Sequence, residues 1–287
     1  MTADLRIFSY LPNPRVWKAT IAARLSGVNV ELVGAPAGEL VHWLWDFDGR
    51  PMNDTDRDVM RELQRPARRG LANEMLHKTE AFLDAHPFGT VPAGFSPDGA
   101  IGVFESNSIM RLVARLAVGP IQLLGNGPYE SSRFDSFLDA GLTFSHDVQR
   151  YMLALRSGRI DTQVHGWASK ALDAYLSRIE RALKPDRSYL VGNAMTVADI
   201  CFACDLAPLA NEKSHESVLS RAGLEAIARP ELASIYPLAF RHFARLCRDP
   251  AFEPDLVTYR DKLGVAPFSN PNRDPSESAR ITHFEEI

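Results

Sequence analysis

Three short stretches combine residue types that can do chemistry. The first is Val91-Pro92, a proline set inside the apolar run Thr90-Val91-Pro92-Ala93-Gly94, which otherwise signals a strand. Proline is excluded from strand interiors because it cannot donate to the ladder. A cis Val91–Pro92 bond at a strand start resolves the conflict. It also turns the N–H and C=O of Val91 outward, free to pair in β fashion with an extended peptide. A trans proline on an edge strand is the alternative. The second stretch is Glu105-Ser106, between a strand end and a helix start. A helix N-terminus offers free N–H groups and partial positive charge, which suit a carboxylate. The Ser106 hydroxyl adds a donor, and Glu105 can accept from an ammonium, so the pair suits a zwitterion; ordinary helix capping is the alternative. The third is Ser9-Tyr10-Leu11-Pro12-Asn13-Pro14-Arg15, where hydroxyl, phenol, amide and guanidinium share one segment. An asparagine between two prolines also fits a plain turn.

Other suggestive residues read as structural. Cys201 and Cys204 have C-x-x-C spacing but lie in a helical stretch far from any βαβ unit, so they read as buried small hydrophobes. With Cys247 the cysteine count is odd, which argues against a disulfide framework. Thr196 and Asp199 form a Thr-x-x-Asp capping box, a folding element. No set of residues suggests a metal site.

Elements must position these groups. Residues 5–8 read as a strand broken by Pro12-Asn13-Pro14, residues 15–25 as a helix ended by Ser26-Gly27, and residues 28–33 as a second strand. Such a βαβ unit has parallel strands. Residues 34–73 read as short helices and loops rather than a core element. Trp43, Trp45 and Phe47 in this stretch suggest a lid over the site or a dimer patch. A short helix is expected over residues 75–85. The runs 90–94 and 101–104 flank the turn Ser96-Pro97-Asp98-Gly99 and form a hairpin. Ile109, Leu112, Val113 and Leu116 mark a helix face, and the Gly- and Pro-rich residues 119–128 a linker. Everything beyond is helical, with Phe144, Tyr151, Met152 and Leu155 on a long helix as lining or core. The expected organisation is an α/β thioredoxin-like domain over 1–118 with an insertion near 34–73, an all-α helical domain over 129–266, and a tail over 267–287.

The bulk properties fit two domains. The chain has 287 residues, 45% of them hydrophobic, and a formal net charge of −4. Acids and bases are interspersed, with no basic footprint for nucleic acid. No apolar run approaches the ~18 residues of a membrane span, and the first residues lack the pattern of a signal peptide. These features point to the cytoplasm, with neither membrane nor nucleic acid as partner.

Three ordered segments resemble the cytosolic glutathione transferases. They are His86-Pro87-Phe88-Gly89-Thr90-Val91-Pro92-Ala93, Phe104-Glu105-Ser106-Asn107-Ser108-Ile109, and Leu190-Val191-Gly192-Asn193 with Met195-Thr196-Val197-Ala198-Asp199-Ile200. Order and spacing match the family from about residue 5 to residue 255. Pro14-Arg15, Lys18, Ala22-Ala23 and Phe104-Glu105-Ser106-Asn107 look closest to the transferase-like domain of elongation factor one gamma and its bacterial relatives. The resemblance implies glutathione as co-substrate. Val91 and Pro92 would meet its cysteinyl unit, and Glu105 and Ser106 its γ-glutamyl end. His77 and Lys78 are further contact candidates, unless they are simply a solvated face. The family's thiol donor stands at the end of the first strand or the start of the next helix. Counting back from Lys18 puts Asn13 there, with Ser9 or Tyr10 as alternatives and Arg15 as an electrostatic helper. The function implied is a glutathione transferase acting on a small hydrophobic electrophile, or a glutathione-dependent reductase, assembled as a homodimer. The alternatives are a non-catalytic interaction module, for which only a short tail follows the helical part, and a glutathione-binding protein with little chemistry.

Overall fold

The amphipathic pattern of residues 5–10 places Leu5, Ile7, Phe8 and Ser9 in the interior, and the strand they form is central. A computed structural model describes residues 3–59, 61–67, 74–119 and 121–262; the expected tail over 267–287 lies outside these. Strand β1 (Leu5–Tyr10) leads into helix α1 (Pro14–Ser26) and strand β2 (Val30–Ala35), which pairs parallel to β1, as expected of a βαβ unit. Strands β7 (Ala93–Phe95) and β8 (Gly102–Phe104) form the expected hairpin, and β7 pairs antiparallel to β1. The sheet order is β2-β1-β7-β8. Gly34 sits against Ser9 so closely that a Cβ there would fall 1.7 Å from the Ser9 carbonyl oxygen, so only glycine lets β2 approach.

Residues between β2 and β7 correct the expectation of loops. Strands β3 (Trp43–Trp45), β4 (Arg50–Pro51), β5 (Gln64–Pro66) and β6 (Met75–Lys78) form a second four-stranded sheet, order β4-β3-β6-β5, with helix α2 (Asp54–Val59) between β4 and β5. The expected helix over 75–85 is therefore strand β6 followed by helix α3 (Glu80–Ala85). Thr79 accepts from the Phe82 N–H and caps α3, which starts the helix there rather than at Met75. Within the Trp43–Phe47 cluster, Trp45 is core rather than lid or partner patch, while Trp43 and Phe47 are half-buried. Trp45 is buried, donates to the Leu40 carbonyl and packs edge-on against Phe8 and Phe82. Phe47 packs against Phe95 beneath the Arg6 guanidinium. Burial of such a ring contributes about 1.5–3 kcal/mol, so the second sheet is core to this half.

Helix α4 (Ser106–Leu116) closes the sheet, and an all-helical layer follows, led by α5 (Pro128–Arg156), α6 (Thr162–Ala182) and α7 (Val197–Leu206). Shorter helices α8 (Glu216–Arg221), α9 (Leu232–Ile235), α10 (Pro237–Leu246) and α11 (Glu253–Lys262) complete it. Among the described residues no helix is long and apolar enough to cross a membrane. Thr196 and Asp199 form the expected capping box, and the second Asp199 oxygen also meets the Leu190 N–H and His242 Nε2. Phe144, Tyr151, Met152 and Leu155 are all core, with Phe144 stacked on Tyr175 at 4.2 Å.

One buried polar cluster ties the two halves together. Lys18 on α1 pairs with Asp205 on α7 at 2.8 Å, donates to Asn107 Oδ1 on α4 at 2.8 Å and lies 3.3 Å from Cys201 Sγ. Asn107 donates onward to the Leu138 carbonyl of α5. Gly141 keeps α5 close, because a Cβ there would meet Asp205 Oδ2 at 3.1 Å. Cys201 and Cys204 are buried, as expected, but Cys201 also donates to Asp205, and burial together with that carboxylate pushes its thiol up to about 12. Burial pulls the Lys18 ammonium down. Asp205 and the surrounding sulfurs outweigh it, so the folded pKa lies above the usual lysine value. The raised pKa means this stabilisation is fully present at neutral pH and is lost only on strong alkalinisation. Lys18→Ala should destabilise the fold by about 3–5 kcal/mol in urea unfolding, because it strands a buried carboxylate. Lys18→Met combined with Asp205→Leu should recover most of that loss.

Candidate functional site

The loop before β7 is held from three sides. His86 is buried; its Nε2 lies 2.9 Å from the Thr90 oxygen and 3.2 Å from the Thr90 nitrogen, and its ring stacks on Phe104 at 4.8 Å. Desolvation, partly offset by the Thr90 carbonyl, lowers its pKa. Lys78 Nζ donates to the Gly89 carbonyl at 2.6 Å and sits 4.9 Å above the Trp45 ring. His77 is buried on the same strand beside Gln64. Lys78 and His77 therefore do not form a solvated face; they are buried on the second sheet, and Lys78 braces the loop. The braced loop carries a cis Val91–Pro92 bond immediately before β7. Val91 is half-buried and, among the described residues, neither its N–H nor its C=O has a backbone partner.

At the adjoining start of α4, Glu105 adopts φ 68 and ψ 124, the one non-glycine residue at positive φ among the described residues. Such a backbone costs about 1–3 kcal/mol and tends to mark a functional site. Its carbonyl accepts from Ser108 and Ile109, but its exposed side chain makes no capping bond. The Ser106 hydroxyl is buried without a hydrogen-bond partner among the described residues. Neither side chain serves the backbone, so capping does not account for this pair. The first N–H groups of α4 are left for an acceptor from outside.

The end of β1 lies beside this junction. Phe8 pairs with Ala93, so two residues further on Tyr10 and Val91 reach the same end of adjacent strands. Asn13 is 1% exposed; its Oδ1 accepts from the Arg15 N–H to cap α1, and its Nδ2 donates to the equally buried Ser9 hydroxyl. The amide expected to face a thiol is thus engaged inside the fold, because α1 needs its N-cap. Tyr10 and Arg15 remain half-buried. Burial raises the Tyr10 pKa and the charges of Arg15 and Arg156 pull it back, so the phenol stays protonated at neutral pH. Arg15 Nη2 donates to Gln149 Oε1 on α5 at 2.9 Å. Gln149 and Arg156 are thereby placed near the β1 end. Only tertiary packing reveals them, although their spacing along one helix face was a usable signal.

No group of three or more His, Cys, Asp or Glu able to hold a metal occurs among the described residues. The family model for the glutathione S-transferase C-terminal domain matches residues 160–250. A glutathione S-transferase of Hyoscyamus muticus is 30% identical over 171 residues, covering 54% of this chain and 77% of that protein. The chain belongs to the glutathione S-transferase family. Elongation factor 1-gamma 3 of Oryza sativa subsp. japonica is 27% identical over 268 residues, covering 93% of this chain and 52% of that protein. The chain spans about half the length of the elongation factor 1-gamma relatives it matches. A glutathione S-transferase structure from Methylobacillus flagellatus superposes with a TM-score of 0.58 at 16% identity, covering 88% of this chain and 98% of that one. At that identity the likeness concerns the fold.

Two substitutions separate site from scaffold. Glu105→Gly should raise stability by about 1 kcal/mol, because glycine adopts positive φ freely. Ser106→Ala should leave thermal stability nearly unchanged, since it removes no existing bond, whereas loss of a working cap would cost ~0.5–2 kcal/mol.

Proposed function

We propose that the chain binds glutathione and activates its thiol for attack on a small hydrophobic electrophile, or for glutathione-dependent reduction, without a metal. The carrying observation is the junction of β7 and α4, where Val91 lacks backbone partners, Ser106 has an unsatisfied hydroxyl and Glu105 is strained. In this reading Val91 pairs with the cysteinyl unit through its N–H and C=O. Ser106 and the α4 N-terminus take the γ-glutamyl carboxylate, and Glu105 accepts from the ammonium. Same-fold structures with glutathione bound, including that from Methylobacillus flagellatus, support the choice of ligand.

The chemistry needs the thiolate, which is the nucleophile. Tyr10, protonated and partly buried, donates its O–H to the sulfur, and Arg15 adds positive charge beside it. Both favour the anion over the thiol. The thiol proton passes to water, and the sulfur then attacks the electrophilic carbon as the leaving group departs. Asn13 acts on the fold instead. Tyr10→Phe should raise the pKa of bound glutathione and lower kcat and kcat/KM together, as loss of a transition-state contact does. Asn13→Ala should chiefly cost ~1 kcal/mol of stability. If Asn13→Ala moves the thiol pKa and Tyr10→Phe does not, Asn13 is the donor.

A second reading, a glutathione-binding or interaction module without catalysis, is favoured by the elongation factor 1-gamma relatives. A glutathione-dependent screen over aryl halides, aryl ethers, peroxides and mixed disulfides separates the two: no turnover with glutathione bound in calorimetry selects the module. A homodimer belongs to the first reading. Its apolar support shifts from Trp45, which is core, to the exposed Phe88, which packs near Phe104, and the exposed Ile101. Light scattering at micromolar concentration should give twice the chain mass, and a monomer would sink the dimer.

A further inference from the structure

We propose, resting on the glutathione reading above, that the second substrate is an anion: an electrophile bearing a carboxylate or similar acidic group, held by Arg15 and Arg156. Ser145, Gln149, Met152 and Arg156 recur at three- and four-residue intervals and so share one stripe of α5. The 2.9 Å bond from Arg15 to Gln149 fixes that stripe against the end of β1. Arg156, exposed, stands one turn beyond Met152 on that stripe, and helical side chains lean toward the N-terminus of their helix. The charge of Arg156 is felt at Tyr10 together with that of Arg15.

Burial and pairing together set Arg15 apart: among the described residues, exposed arginines such as Arg133, Arg150 and Arg156 also lack a carboxylate partner, but Arg15 is half-buried. Arg6, Arg24, Arg50, Arg65, Arg111 and Arg241 each face a carboxylate. Among the described residues Arg15 and Arg156 have no such partner, and Arg15, half-buried, has only the neutral Gln149 amide as a side-chain acceptor. Asp147, close in sequence, lines a shallow groove with Arg150, Trp167, Lys170 and Ala171, between α5 and α6. A partly buried guanidinium without a counter-charge favours an anion, and its planar fork matches a carboxylate. In the glutathione reading Ser106 and the α4 N-terminus already take the γ-glutamyl carboxylate. The charge at the Tyr10 end is therefore left for what reacts with the sulfur.

Calorimetry with three probes tests this: glutathione, an S-aryl glutathione conjugate carrying a ring carboxylate, and the same conjugate with an uncharged carboxamide. The carboxylate conjugate should bind about tenfold more tightly than the carboxamide, as expected of a charge-assisted pair. Arg156→Ala should abolish that preference, Arg156→Lys should retain part of it, and glutathione itself should bind both variants as it binds the parent. Equal affinity for the two conjugates overturns the proposal while leaving the glutathione reading intact. So does an Arg156→Ala variant that weakens glutathione and both conjugates alike, since the guanidiniums would then serve glutathione. Absence of glutathione binding to the parent protein overturns both.

Discussion

The buried ion pair of Lys18 with Asp205 is the constraint on which the rest of the molecule depends. It joins the first helix of the sheet half to the third long helix of the helical half, and Asn107 extends it to the first turn of α4. A buried lysine and aspartate each lose several kcal/mol of hydration, so the pair holds only while all its partners stay in register. Because Asn107 directly follows Ser106, the same cluster that docks the two halves also fixes where the free N-terminus of α4 stands. Docking and site geometry are one problem in this protein, solved by one set of side chains.

The site is built largely from backbone. Val91, the α4 N-terminus and the strained Glu105 offer N–H and C=O groups whose positions derive from strand pairing and helix start, not from rotamers. Such a site needs stiff support, and the second sheet supplies it. Lys78 on β6 grips the Gly89 carbonyl, and Trp45 on β3 lies under the Lys78 ammonium while packing against Phe8 of the central strand. The inserted segment is thus a buttress for the loop that presents Val91. At the end of β1 the polar groups are side chains on two different halves, Arg15 and Gln149, so their approach depends on the docking cluster. The groups at the end of β1 are therefore more sensitive to interdomain packing than the backbone groups of Val91 and the α4 N-terminus are.

Much of this was legible in residue types and spacing. Proline inside a strand signal marked the cis bond, Thr196 and Asp199 marked their capping box, and the elements flanking both emerged from local periodicity. Those features rest on interactions within a few residues, where propensity and sterics act directly. The second sheet was not legible, because its strands are two to four residues long and their pairs join distant segments, such as Trp45 with Lys78. A period of two cannot be read from so few positions. Asn13 shows the same limit: its type fitted both a donor and a turn residue, and only the fold shows it capping α1 with its amide bonded to the buried Ser9. Gln149 and Arg156 share one face of α5 by their spacing, but that spacing gave them no role, since a charge or amide on a helix face acquires meaning from what docks against it. Sequence by itself thus determined the family, the βαβ unit, the hairpin, the capping box and the cis bond before β7. Tertiary structure decided which side chains stay free to meet a ligand, because burial and pairing are properties of packed neighbours rather than of the residue.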